Sequence, residues 1–550
     1  MDGKLTVDVR SRYELEQGIS LLSKGGKFSF GLCFPENYVL GMANLGFQTI
    51  LNQVFELPEW RVERFFLDTG NRSLETGTPL SSFLAIGFSL PYELAILNVI
   101  SMLREANIPL FYWQRSEIHP WVIFGGPSIT LNPEVYAPFA DILTIGEGES
   151  LIGQVLQALE KDQDRGQTKE MLSGLAGVYL PESITPQYQG RKLLSFAGKG
   201  VSLPVTRQKV NLGDFPGRTV LYSPISYFRE TALLEISRGC SFRCRFCAGG
   251  AIYHPFRYRP LDQIKTMVSQ MDSWSSKVGL VGSDILGHPE IKAILSFLLK
   301  RGKKVTFSSL SLRRLLQDDD LLPLVVAGGA ETLTLAPETG SDHCRAILGK
   351  SSSKLEWIEL VRWALRKGVS KIKLYLMLGL PWREVEEDLT FLSELVEKTG
   401  GKGKITVSYS FFVPKPHTLF EQVRTPSFKE WKKEKARLEK EAEKIGITLT
   451  GESARLAWLQ LIVARGDRCL GEKLATLEEN RPWSLSKWRI IMEELERDFE
   501  EWPRQPEWEE TLPWDTVDFD DGWRKKDFNS SGMVVNGEKF NSRKLGAGQE

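Results

Sequence analysis

The chain has 550 residues, 42% of them apolar and 25% charged, an ordinary balance for a soluble globular protein with room for roughly two to four domains. Lysine plus arginine equals aspartate plus glutamate, 70 against 70, so no long-range field draws the molecule to a polyanion. Residues 1–8 hold no apolar core of a signal peptide. The most apolar stretch, 84–103, is interrupted by Pro91, Glu93 and Asn98 and falls short of the ~20 apolar residues of a membrane span. The expectation is a cytoplasmic protein with no membrane partner.

In chain order, apolar runs alternate with amphipathic segments. Strands are predicted at 28–34, 82–89, 121–124 and 141–145, with helices over 41–55 and 92–106. Two of the strands run into glycine-rich turns, Gly125-Gly126-Pro127 and Gly146-Glu147-Gly148-Glu149. Such alternation implies an α/β, doubly wound Rossmann-like domain over residues 1–160, with ligands at the carboxyl ends of its parallel strands. Residues 161–225, punctuated by Pro181, Pro186, Pro204 and Pro216, read as a linker. A second alternation follows, with strands at 233–237, 278–282, 305–309, 332–336, 372–378 and 405–411. Six β/α units make a partial (β/α)6 barrel over 226–425 the economical fold. Residues 426–524 read as a small α-rich subdomain. Seven of the 15 tryptophans fall between Trp458 and Trp523, and anchoring that subdomain is their expected role. The polar tail 525–550 is expected to be disordered.

The chemistry concentrates in one loop. Cysteines stand at 33, 240, 244, 247, 344 and 469; three lie within eight residues, directly after the first barrel strand, in Arg238-Gly239-Cys240-Ser241-Phe242-Arg243-Cys244-Arg245-Phe246-Cys247. In a chain without export signals such clustering reads as a metal or cluster site rather than disulfides. The spacing suits three irons of a [4Fe–4S] cluster. With no fourth thiolate near, one iron stays open to chelate the amino and carboxylate groups of S-adenosylmethionine (SAM), and an electron passed to the sulfonium releases a 5′-deoxyadenosyl radical. Arg238, Arg243 and Arg245 are expected to offset the cluster's charge. Zinc would need a fourth ligand, for which His254 is the nearby candidate.

The loop resembles the signature of the radical SAM superfamily, including Phe246, whose counterpart lies against the adenine. That resemblance implies further cofactor-binding residues. Gly282-Ser283-Asp284 stands where relatives carry a turn that meets the SAM amino group, with Asp284 the carboxylate for the ammonium. Pro337-Glu338-Thr339-Gly340-Ser341 is similar to a turn that contacts the ribose, through Glu338 and Ser341. The segment ending Met377-Leu378-Gly379-Leu380-Pro381 resembles the motif lining the adenine pocket. Phe34-Pro35-Glu36-Asn37-Tyr38, Gly41 to Gly46, Gly87-Phe88-Ser89-Leu90 and Gly125-Gly126-Pro127 are similar to the cobalamin-binding-type domain of B12-dependent members, and Val413 to Thr418 and Ala464 to Arg468 to an uncharacterised bacterial group among them. The Asp-x-His-x-x-Gly that ligates cobalt from below is absent, since residues 35–41 hold no histidine. Two readings therefore stay open: cobalamin held without that ligand, or a domain that kept the fold and lost the cofactor.

The leading function is SAM cleavage to a radical that acts on an unidentified substrate (a small molecule, a peptide or RNA), with a reductase or flavodoxin-type protein as electron donor. If cobalamin binds, methyl transfer is the natural reaction. The alternatives are methylthiolation of RNA or protein, which needs further clustered cysteines, and a non-catalytic sensor of cluster or corrinoid. Tyr375, Tyr409 and Arg313 are candidate substrate contacts in the barrel.

Overall fold

The computed structural model describes residues 13–161, 164–190, 192–477, 482–504 and 511–519, with the backbone of 534–535 and 538–539. The tail expected to be disordered thus lies outside the described residues, apart from a short antiparallel pair, Val534–Val535 with Glu538–Lys539.

Five parallel strands and one antiparallel strand form the first sheet. They are β1 (Phe28–Phe34), β2 (Trp60–Phe66), β3 (Ala85–Ser89), β4 (Trp121–Gly125), β5 (Ile142–Thr144) and β6 (Val178–Tyr179), in the order β2-β1-β3-β4-β5-β6. Helices α1 (Leu45–Glu56) and α3 (Leu151–Leu159) cover one face with Phe30, Leu32 and Ile123; α2 (Ala95–Glu105) covers the other with Phe88, Val122 and Phe124. The helix expected over 41–55 is broken. Asn37 caps a single turn, Tyr38–Gly41, and Asn44 restarts the helix by accepting the Phe47 N–H at 2.9 Å, because asparagine satisfies a free N–H better than it continues a helix. Strand β2 was not expected, since Arg61, Glu63 and Arg64 break its apolar pattern. The structure buries Arg64 between Glu16 at 2.6 Å and Glu75 at 2.7 Å, so the charge is paired rather than solvated.

The second alternation forms seven parallel strands: β7 (Thr231–Glu235), β8 (Lys277–Val281), β9 (Lys304–Phe307), β10 (Thr332–Glu338), β11 (Lys371–Leu378), β12 (Ile405–Phe411) and β13 (Thr448–Gly451). They pair in sequence order as a three-stranded and a four-stranded sheet, linked by a parallel bridge from Leu310 to Leu335. The seventh strand, four residues long, is too short to show a period in sequence. Helix α5 (Phe428–Lys444), which precedes it, packs on the outside, where Tyr409 donates to Glu439 at 2.6 Å and Phe411 stacks on Trp431 at 4.8 Å. Tyr409 therefore faces outward, away from the barrel interior in which a substrate contact was expected.

One apolar core runs from Phe88 and Val122 of the first sheet through Leu374 and Val407 of the barrel to Trp458 and Trp488. Trp458, Trp488 and Trp514 are fully buried, in line with an anchoring role. Ion pairs also join the two halves: Lys415 with Glu93 at 2.5 Å and Arg468 with Glu134 at 2.7 Å. Among the described residues no helix is long and apolar enough to cross a membrane.

Candidate functional site

The cysteine loop leaves the carboxyl end of β7. Gly239 turns it at φ +81°, and a Cβ there would run into the Tyr253 carbonyl, so glycine is required at this corner. The Cys247 N–H donates to the Cys244 carbonyl at 3.1 Å. The far side of the loop is clamped by helix α4 (Asp342–Leu348): the Arg245 N–H donates to the Leu348 carbonyl at 3.0 Å, and its guanidinium to Ala346 and Ile347 at 3.0 and 2.6 Å.

Burial pushes the Cys240 thiol up to about 12 and the Cys244 thiol up to about 11; for each, a neighbouring thiolate adds to the rise. Lys350 opposes that rise at Cys244. Three thiols in mutual electrostatic contact on one loop fit an iron–sulfur cluster, because metal ligation takes the thiolate and iron replaces the proton. The fit rests on the donor set and not on a preformed cage: among the described residues no three His, Cys, Asp or Glu side chains stand close enough to hold an ion. Cys33, Cys344 and Cys469 stand apart, the first two buried in separate cores.

Two of the expected turns gather at this loop. Ser283 Oγ and Cys247 Sγ flank Gly249, at 3.9 and 3.8 Å from where its Cβ would stand. Asp284 accepts from Ser241 Oγ at 2.6 Å and Arg314 at 2.8 Å through Oδ2, while its buried Oδ1 has no hydrogen-bond partner among the described residues. An unmatched carboxylate oxygen is an acceptor held ready for a donor such as an ammonium. On the other side Glu338, at φ +66°, accepts from Lys350 Nζ at 2.6 Å, and the same ammonium lies 5.8 Å from the Phe246 ring centre. Phe246 packs on the apolar cluster of Cys344, Met377 and Leu380, which brings the loop to the fifth-strand segment as the resemblance implies.

The remaining expected residues serve the fold. Ser341 caps α4 by accepting the Cys344 N–H at 3.3 Å. Leu378 is fully buried. Gly379, at φ +76°, lies against Trp431 and donates its N–H to Glu434 at 2.9 Å. The arginine charge expected near the cluster is also placed differently: Arg245 holds α4, and Arg238 is bound by Glu235 at 2.8 Å, Glu149 at 2.7 Å and Glu147 at 3.2 Å. Lys350 and Arg314 take the positions beside the thiols and Asp284. No motif marked them, although Arg314 is the neighbour of Arg313, which stands 5.5 Å from the Phe242 ring centre.

A cavity of about 610 Å³ opens between the two halves. Its first wall is the carboxyl edge of the N-terminal sheet: Gly87 to Ser89, Gly125 to Pro127 and Gly146 to Glu149, with Asn44 to Gly46 at the start of α1. Its second wall is barrel β7, β8 and β9, including Gly279, Thr306, Gly282 and Ser283. The segment 35–41 does not line it; there Glu36 accepts from Tyr92 at 2.6 Å and Asn37 caps a turn.

Residues 46–181 match a family described as radical SAM proteins, N-terminal, and residues 234–392 match the radical SAM superfamily; the two cover more than half of the chain. The uncharacterised protein MJ0966 of Methanocaldococcus jannaschii is 28% identical over 452 residues, 80% of this chain and 90% of that one. The anaerobic magnesium-protoporphyrin IX monomethyl ester cyclase of Cereibacter sphaeroides is 23% identical over 299 residues, 52% of this chain and 45% of the cyclase. Among solved structures, the radical SAM methyltransferase TsrM from Kitasatospora setae, with cobalamin and a [4Fe–4S] cluster bound, shares 12% identity over 86% of this chain and 99% of its own, at a TM-score of 0.49. The cobalamin-dependent SAM radical enzyme OxsB, with aqua-cobalamin and SAM bound, shares 14% over 86% and 72%, at 0.48. With a cysteine loop of the right spacing at the carboxyl end of a barrel strand and both halves of the chain matched, the protein belongs to the radical SAM superfamily and is an enzyme that works with SAM and a [4Fe–4S] cluster.

Proposed function

We propose that Cys240, Cys244 and Cys247 carry the cluster, that SAM lies between the Gly282-Ser283-Asp284 turn and Phe246, and that the 5′-deoxyadenosyl radical acts on a substrate inside the barrel. When bound, the cluster supplies the electron that opens the carbon–sulfur bond of SAM. The chain's own residues do the rest. Asp284, positioned by Ser241 and Arg314, offers its unmatched oxygen to the SAM ammonium. Lys350, held by Glu338 and by the Ala336 carbonyl at 3.0 Å, sets a positive charge beside the thiolates. Phe246 gives the adenine an apolar face backed by Met377 and Leu380. The observation that carries the reading is the convergence of loop, turn and Glu338–Lys350 pair at the carboxyl ends of the barrel strands, the end at which such barrels do chemistry. A reductase or a flavodoxin-type protein supplies the electron.

The cavity between the halves supports cobalamin as a further cofactor, with methyl transfer as the reaction. Its glycine-rich wall lies at the strand ends where an α/β sheet binds ligands, and its opposite wall holds Ser283, which with Cys247 flanks Gly249. Among the described residues no histidine lines it, so a bound cobalamin would be held by the glycine-rich strand ends and not by a histidine ligand. One anaerobic experiment tests both parts. The reconstituted protein, with and without hydroxocobalamin, is gel-filtered, given SAM and dithionite, and assayed for 5′-deoxyadenosine beside a Cys244→Ala variant. The wild type should retain iron, sulfide and corrinoid and form 5′-deoxyadenosine, and the variant should form none. Retention of no corrinoid after saturating cobalamin would sink the cobalamin part. Wild-type protein that holds no cluster would overturn the whole.

A further inference from the structure

The inner face of β11 and β12 is not an apolar core. A (β/α) barrel is ordinarily filled by branched apolar side chains, yet here the apolar positions of β11 and β12 point the other way. Leu374 and Val407 are register partners, fully buried, and share a face with Tyr409, which reaches Glu439 on the outer helix α5. The opposite, inner face carries two polar rows, because side chains alternate along a strand and register partners point alike. Thr334, Lys373 and Thr406 form one row; Tyr375 and Ser408 begin the next. All five are only half-buried.

Lys373 stands out in that surface. Its Nζ lies 5.2 Å from the Tyr375 ring centre, and among the described residues no carboxylate pairs with it. A lysine drawn into a protein interior is ordinarily paired, since taking its charge out of water is costly. Its level is also informative. Register pairs Leu376 with Glu338 across a bulge, so Lys373 lies three residues below the proposed SAM site, roughly 10 Å at ~3.3 Å per residue.

We propose that the substrate is a small polar molecule carrying a carboxylate or phosphate, and that Lys373 receives that anion on the barrel floor while the reacting carbon stands beneath SAM. Thr334 and Thr406 flank Lys373 in its own row, and Tyr375 and Ser408 line the span above it. A single ammonium with flanking hydroxyls suits one anionic group and not a nucleic-acid backbone, which needs several cations. The inference rests on the barrel being the substrate chamber of the enzyme proposed above.

The test needs no knowledge of the natural substrate. The intact protein is acetylated briefly at its lysines, alone or with inorganic phosphate, succinate or the uncharged diamide of succinate, and each lysine is quantified by peptide mass spectrometry. Phosphate or succinate should slow labelling of Lys373 at least threefold, leaving the surface Lys265 unchanged, and the diamide should not. By calorimetry, Lys373→Met should weaken the protecting anion at least tenfold, about 1.4 kcal/mol, and Lys373→Arg should bind within threefold of the wild type. Equal labelling with every probe, or equal protection by the diamide, overturns the proposal. Protection in protein that cannot cleave SAM would break the cluster reading and keep this one; SAM cleavage without protection would overturn this one alone.

Discussion

The two parallel sheets of this molecule are covered differently, and the difference decides where each can hold a ligand. In β1 every residue from Phe30 to Phe34 is buried, because helices lie on both faces. In β11 buried Ile372 and Leu374 alternate with half-buried Lys373 and Tyr375, because helices cover one face only. A doubly covered sheet has no free face and leaves only its carboxyl edge for a ligand. Glycines hold that edge open, and the cavity begins there. The barrel offers both its carboxyl edge, with the cysteine loop, and a free inner face. The N-terminal half is thus built to present a rim, and the barrel to present a chamber.

The sharpest way to break this arrangement is at the seam between rim and chamber. Arg238, two residues before Cys240, is bound by Glu147 and Glu149 of the rim and by Glu235 of β7, while Arg257 bonds Glu147 at 2.9 Å. Arg238→Met leaves buried carboxylates short of a cation, at an expected cost of about 3–5 kcal/mol, read as a lower midpoint of the first transition in urea. Burial by itself would raise the Glu147 and Glu235 carboxyls, but Arg257 and Arg238 at Glu147, and Arg238 and Arg259 at Glu235, bring both below their ordinary value. A carboxylate depressed by folding adds stability above its unfolded pKa, about 4.3 for glutamate, and loses it as pH falls through the folded value. The wild-type Tm should therefore fall steeply below about pH 4.3. The variant should fall less, and an equally steep fall would show that the network does not couple the halves.

Much of this was legible in the sequence, and the gaps have physical causes. The cysteine loop, the strands of both alternations and the glycine-rich rim could be read because spacing, apolar period and glycine each report a local requirement. Strand β2 could not, because Arg64 looks solvated until Glu16 and Glu75, far apart in sequence, close on it. Lys350 and Arg314 were missed for the same reason: each matters through a partner, Glu338 or Asp284, that only the fold supplies. Ser341 and Gly379 carried motif positions, but the structure uses one as a helix cap and the other as a close approach to Trp431. Tyr409 failed by alternation, since period two does not say which of two faces is the inner one.

That last ambiguity yields the gentlest and most discriminating substitution. Ser408 and Val407 are neighbours on β12, one on each face, and register sets them beside Tyr375 and Leu374. If the inner face is a chamber, Ser408→Ala removes a hydroxyl that packs against nothing, and stability should move by no more than about 0.5 kcal/mol. Leu374→Ala, on the covered face, empties a core position and should cost about 2–5 kcal/mol. Urea unfolding of the pair compares two small truncations on adjacent strands in one background, so differences between the strands themselves largely cancel. A packed barrel would raise the Ser408→Ala loss to about 1–3 kcal/mol, because the buried partner of its hydroxyl would be left unmatched. A large gap with Ser408 near zero leaves the inner face free of structural duty, as a surface kept polar for a ligand must be.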